Sequence, residues 1–182
     1  MSIKTRNSKS EARNRGYTLV ELIVAVGLFA IIMTIASGAY IVMIDLTRQS
    51  QNKATGIDNL SFALETMTRN IRTGTNYNCG GAGDCSGTDS FSFSDPNGET
   101  ITYTNVSSAI YQRKGNGALS VLTDPLSVNI SSLKFYVSGT TSGDNYQPHV
   151  TIIISGDVSS GSGKEPQSFV VETGATMRGP DI

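Results

Sequence analysis

No charged residue occurs between Leu22 and Ile44, and that run constrains the rest of the chain. As a helix rising about 1.5 Å per residue it spans about 34 Å, enough to cross about 30 Å of hydrocarbon. A lone carboxylate, Glu21, stands at the mouth of the run. An acid there costs about a few kcal/mol unless something pairs with it, so it reads as a functional residue. Residues 1–16 carry Lys4, Arg6, Lys9, Arg13 and Arg15 against one acid, Glu11. That excess holds the leader on the cytoplasmic side and predicts a single pass, N-in and C-out. The run is too long for an ordinary secretory signal peptide, whose cut follows a short apolar region with small residues before it.

The chain beyond the run is long enough for one modest globular core. The whole chain has 14 basic and 15 acidic residues, of which the leader holds five and one, so residues 17–182 carry nine against fourteen, a net of −5. Such a balance gives no nucleic-acid signal, because phosphates call for clustered Lys and Arg. The absence of Trp and the abundance of Gly, Ser, Thr and Asn suit a small β-rich extracytoplasmic domain.

Helical spacing continues past the run. Residues 45–53 are polar almost all round, and then Ala54, Ile57, Leu60, Leu64, Met67 and Ile71 form one apolar stripe. Arg69 and Arg72 stand in the last turn, and Thr73-Gly74 supplies the stop. The pattern predicts one helix from Thr18 to Arg72, with Gly56 as a weak point. Strands are predicted at 90–93 and 100–104, forming a hairpin about Asp95-Pro96-Asn97-Gly98, and at 109–112, 119–122, 128–137, 149–155 and 168–173. Two Gly/Ser-rich tracts, 138–145 and 159–163, read as loops. The expected fold is α+β, a long N-terminal helix packed by its amphipathic half on an antiparallel sheet. The expected division is leader 1–16, transmembrane or filament-core helix 17–44, amphipathic helix 45–74 and β-rich domain 75–182.

The block RGYTLVE, residues 15–21, directly before the apolar run, resembles the class III signal of type IV pilins and type II secretion pseudopilins. The resemblance implies a pilin-like fold, cleavage by prepilin peptidase between Gly16 and Tyr17, and N-methylation of Tyr17. Glu21 becomes the fifth residue of the mature chain and, in that family, the acid neutralises the amino terminus of an adjacent subunit. The implied partners are prepilin peptidase, other pilin or pseudopilin subunits, an inner-membrane assembly platform and, before assembly, membrane lipid. The implied location is the cytoplasmic membrane, then an extracytoplasmic filament or the cell surface. LETMTRNIRTG at 64–74 and the closing VVETGATMR are similar to minor pilins of the PilW type and J-type pseudopilins. Two positions depart from the family: Tyr17 stands where phenylalanine is commonest, and no proline falls near Gly38 to melt the helix.

Other residues carry weaker signals. Ala30, Thr34 and Gly38 fall four apart, a small-residue stripe that lets helices approach closely. Cys79 and Cys85 enclose a glycine-rich loop and read as a disulfide worth ~2 kcal/mol in the chain-entropy model, as free thiols, or as part of a metal site. The metal reading lacks ligands, since the one histidine, His149, stands alone. No nucleophile accompanies that histidine, so no enzyme and no cofactor is expected. Asp144, Asp157 and Glu165 read as solvated loop acids rather than a calcium loop. Asn105-Val106-Ser107 and Asn129-Ile130-Ser131 match the glycosylation pattern. The expected function is a minor pilin-like subunit; the alternatives are a type II secretion or competence pseudopilin, and a signal-anchored binding or adhesion domain that does not polymerise.

Overall fold

The computed structural model describes residues 16–81, 83–141, 143, 146–161 and 163–179. The leader's basic residues and Asp144 lie outside these. The chain opens with one helix, α1, Leu19–Thr73, within a residue of expectation at each end. Two compact units divide it, residues 1–45 and 46–182.

In the first unit Thr18 caps the helix: the Glu21 amide donates to Thr18 Oγ1 at 3.3 Å, and the Leu22 amide to the Thr18 carbonyl at 3.2 Å. The apolar side chains beyond it are exposed all round the helix, Leu22 at 62%, Phe29 at 59% and Ile35 at 69%. Hydroxyls inside this stretch bond back one turn, Thr34 to the Ala30 carbonyl and Ser37 to the Met33 carbonyl, each at 2.8 Å. Both hydroxyls are thereby satisfied within the helix, which runs on through Ser37-Gly38.

Among the described residues the second unit holds the C-terminal part of α1 and nine strands: β1 Thr75–Asn78, β2 Cys85–Thr88, β3 Ser90–Ser94, β4 Thr100–Val106, β5 Ala109–Lys114, β6 Leu119–Val121, β7 Val128–Ser138, β8 His149–Val158 and β9 Gln167–Thr176. They form two antiparallel sheets rather than the single sheet expected, in the orders β1-β3-β4-β5-β6 and β2-β7-β8-β9. The predicted hairpin is β3–β4, with Phe91 opposite Tyr103 and Phe93 opposite Ile101. β1 and β2 escape sequence detection because TNYN and CSGT lack apolar alternation.

The face of α1 that turns inward differs from the predicted stripe. Gly56, Leu60, Ala63, Met67 and Ile71 are buried, whereas Ile57 is 56% exposed and Ala54 is exposed. The line of closest approach runs along the small residues, which a count of large apolar side chains overlooks. A Cβ on Gly56 would overlap Val158 Cγ1 and stand 3.1 Å from the Ser127 carbonyl, so Gly56 is a packing contact in an unbroken helix. Met67 and Ile71 are fully buried, each contributing about 1.5–3 kcal/mol of transfer free energy.

Aromatic rings join the sheets. Phe91 on β3 stacks on Phe135 of β7 with centroids 5.3 Å apart, and Tyr77 meets Phe91 edge-on at 5.5 Å. Tyr77 also satisfies the helix end: its hydroxyl donates to the Ile71 carbonyl at 2.6 Å, while the Arg178 amide donates to the Arg72 carbonyl at 2.9 Å. Gly74, just past α1, is not in a left-handed conformation; glycine is required there because a Cβ would run into the Phe93 ring.

Candidate processing and assembly site

Gly16, Tyr17 and Thr18 precede the first helical residue, and all three are exposed, Tyr17 at 85%. The Gly16–Tyr17 bond thus lies in non-helical chain that a peptidase can draw into an extended conformation, and Gly16 has no neighbour within 4 Å of where a Cβ would stand. Glu21 follows in the first turn of α1, exposed. Its position is set by Thr18. With Thr18 as cap, Glu21 occupies the third helical position, and Thr-Leu-Val-Glu has the spacing of a capping box. That signal is present in the sequence and is distinct from the membrane-edge argument; it places an acid where the helix dipole favours one. Ala30, Thr34 and Gly38 lie further along the same unit, exposed, with Thr34 already hydrogen-bonded within the helix.

The remaining candidates sit in the second unit. Cys79 and Cys85 are bonded to each other, with Cα atoms 6.4 Å apart, and the bond ties the segment after β1 to the start of β2. Asp84 beside it accepts from the Thr140 amide at 3.0 Å and the Thr140 hydroxyl at 2.9 Å, and those donors hold its carboxyl below the usual carboxylate range. His149 Nδ1 lies 2.9 Å from Thr176 Oγ1 across the β8–β9 pair, a structural contact. Asp157 accepts from Ser168 Oγ at 2.7 Å, and Glu165 is exposed. Among the described residues no three His, Cys, Asp or Glu side chains gather as a metal would need. Asn105 is a poor glycan acceptor, because its amide nitrogen is half-buried and donates to the Ile130 carbonyl at 3.1 Å, whereas Asn129 is exposed on β7.

Residues 12–37 match the family model of the prokaryotic N-terminal methylation motif, a span that takes in Gly16, Tyr17, Glu21, Ala30 and Thr34. No match was found among curated proteins or among solved structures. The motif implies processing by prepilin peptidase and assembly with other pilins, and it suggests a structural subunit. Together with the apolar start of α1 it supports membrane anchoring near the N-terminus. An exposed glycine bond, a capped apolar helix with one acid in its first turn, and two antiparallel sheets in the second unit make this chain a carrier of the type IV pilin signal on an α+β, pilin-like architecture.

Proposed function

We propose that the protein is a minor pilin-like subunit, inserted N-in and C-out in the cytoplasmic membrane, cut after Gly16, methylated on Tyr17 and polymerised through its N-terminal helix. The observation that carries this reading is Glu21: an acid fixed in the first turn of an exposed apolar helix, four residues beyond the bond in the matched signal. Removal from lipid into a filament core leaves that carboxylate in low dielectric, where it needs a cation. The amino group created at Tyr17 of a neighbour supplies one. Ala30, Thr34 and Gly38 then form the face along which neighbouring helices approach, and the Cys79–Cys85 bond staples the loop beyond the helix. The protein is a building block and not an enzyme.

Intact-mass and N-terminal sequencing of protein from cells containing the peptidase tests the first step. The expected product starts at N-methylated Tyr17. Recovery of only the 182-residue chain would favour a plain signal anchor instead.

A further inference from the structure

Three arginines line one cleft of about 270 Å³ in the second unit: Arg69 and Arg72 from the last turns of α1, and Arg178 from the segment after β9, with Glu65, Thr68 and Thr73 completing it. All three arginines are exposed, and among the described residues none has a carboxylate within ion-pair distance. Two other cations of the same unit are paired locally, Lys114 with Glu99 and Asp95 at 2.9 and 3.4 Å, and Lys134 with Asp89 at 2.6 Å. The helix dipole accounts for cations on the last turn of α1. It does not account for Arg178. That residue is brought to the cleft by its own backbone, whose amide donates to the Arg72 carbonyl at 2.9 Å. The effect is to concentrate three guanidinium groups against one acid on a chain that is otherwise acidic.

We propose that this cleft binds a carboxylate-rich segment of another protein chain. Planar guanidinium forks match carboxylates in pairs of hydrogen bonds, which is the geometry three convergent arginines offer. A nucleic-acid strand fits less well, because no aromatic side chain lines the cleft to stack a base.

The test uses the full chain in neutral detergent micelles and reads fluorescence anisotropy of a labelled peptide of alternating Glu and Gly, beside a labelled single-stranded oligonucleotide of equal charge. The peptide should bind at low salt and weaken as salt rises. Arg69→Gln, Arg72→Gln and Arg178→Gln should each lower its affinity by roughly threefold to tenfold, and the triple variant should abolish binding. Arg178→Lys should fall between, because it keeps the charge and loses the fork, and Lys134→Gln should change nothing. Circular dichroism should show every variant folded, since the Arg178 contact with α1 is made by its backbone amide. Absence of peptide binding, equal binding by the triple variant, or tighter binding of the oligonucleotide would overturn the proposal. Cleavage at Gly16 is scored separately, so failure here leaves the filament reading standing.

Discussion

Gly56 decides which face of α1 turns inward. Alanine in its place should gain about 1 kcal/mol of helix propensity. Against that, the new Cβ would overlap Val158 Cγ1 and press on the Ser127 carbonyl, and overpacking of this kind costs roughly 1–3 kcal/mol. The backbone carbonyl cannot rotate away as a side chain can, so the clash prevails, and Gly56→Ala should lower the thermal midpoint measured in detergent. A raised midpoint would show that the contact relaxes. The phenols make a second test. Burial pushes Tyr77 and Tyr103 from the ordinary 10.0 up to about 12, the hydrogen bond from Asn70 pulling Tyr103 slightly the other way. A raised value means the folded state prefers the neutral phenol, so this contribution to stability is whole below pH 10.0 and is lost as the pH rises through about 12. An ultraviolet titration should find Tyr77 and Tyr103 ionising late, together with loss of structure; ionisation of both near 10.0 with the fold intact would contradict it. At this scale Glu21 is legible in the sequence because an isolated charge beside an apolar run stands out. Gly56 is not legible as a contact, because the atoms that fill the space above it come from Ser127, Val128 and Val158, far along the chain.

Elements were legible in proportion to their periodicity. α1 and the longer strands announce themselves by spacing, while the division into two sheets depends on which strands pair, and no local pattern encodes that. The turn between β4 and β5 is an instance. Val106 faces Ala109, leaving a two-residue loop in which Ser107 and Ser108 have φ of 48° and 65°. Positive φ at both central positions is what a type I′ hairpin needs, and serine signals it poorly. Ser108 is held there partly by its carbonyl, which accepts from the Ile130 amide at 2.8 Å across to the other sheet. Replacing the pair by Asn-Gly should keep that bond, relieve the left-handed strain and raise stability by about 1 kcal/mol, read from the denaturant midpoint. A fall would mean that the serine side chains contribute more than the strain costs. The opposite hairpin needs no such repair: Asp95 Oδ1 accepts from the Asn97 and Glu99 amides at 2.8 and 2.9 Å, and Gly98 supplies the φ of 82°.

At the scale of the whole molecule, the leader and the acid belong to two separable events. On the function proposed above, processing reads the boundary at Gly16, whereas polymerisation, on the charge-pairing argument, needs an anion at position 21 opposite a neighbour's amino group. The capping geometry adds a second demand on the same residue, yet it separates from the first, since Thr18 Oγ1 receives the Glu21 backbone amide whatever the side chain. Loss of the carboxylate should therefore leave the helix start intact. Glu21→Gln keeps the length and removes the charge, Glu21→Asp keeps the charge and shortens its reach, and Glu21→Val removes both. The most direct measurement is the fraction of cleaved Glu21→Val protein recovered in sheared or cross-linked filaments beside its sibling subunits. Cleavage at the wild-type level with incorporation reduced at least tenfold, and partial recovery in Glu21→Asp, is the predicted result; wild-type incorporation of Glu21→Val would show that the acid only snorkels to the membrane interface, and would contradict the assembly role assigned to it.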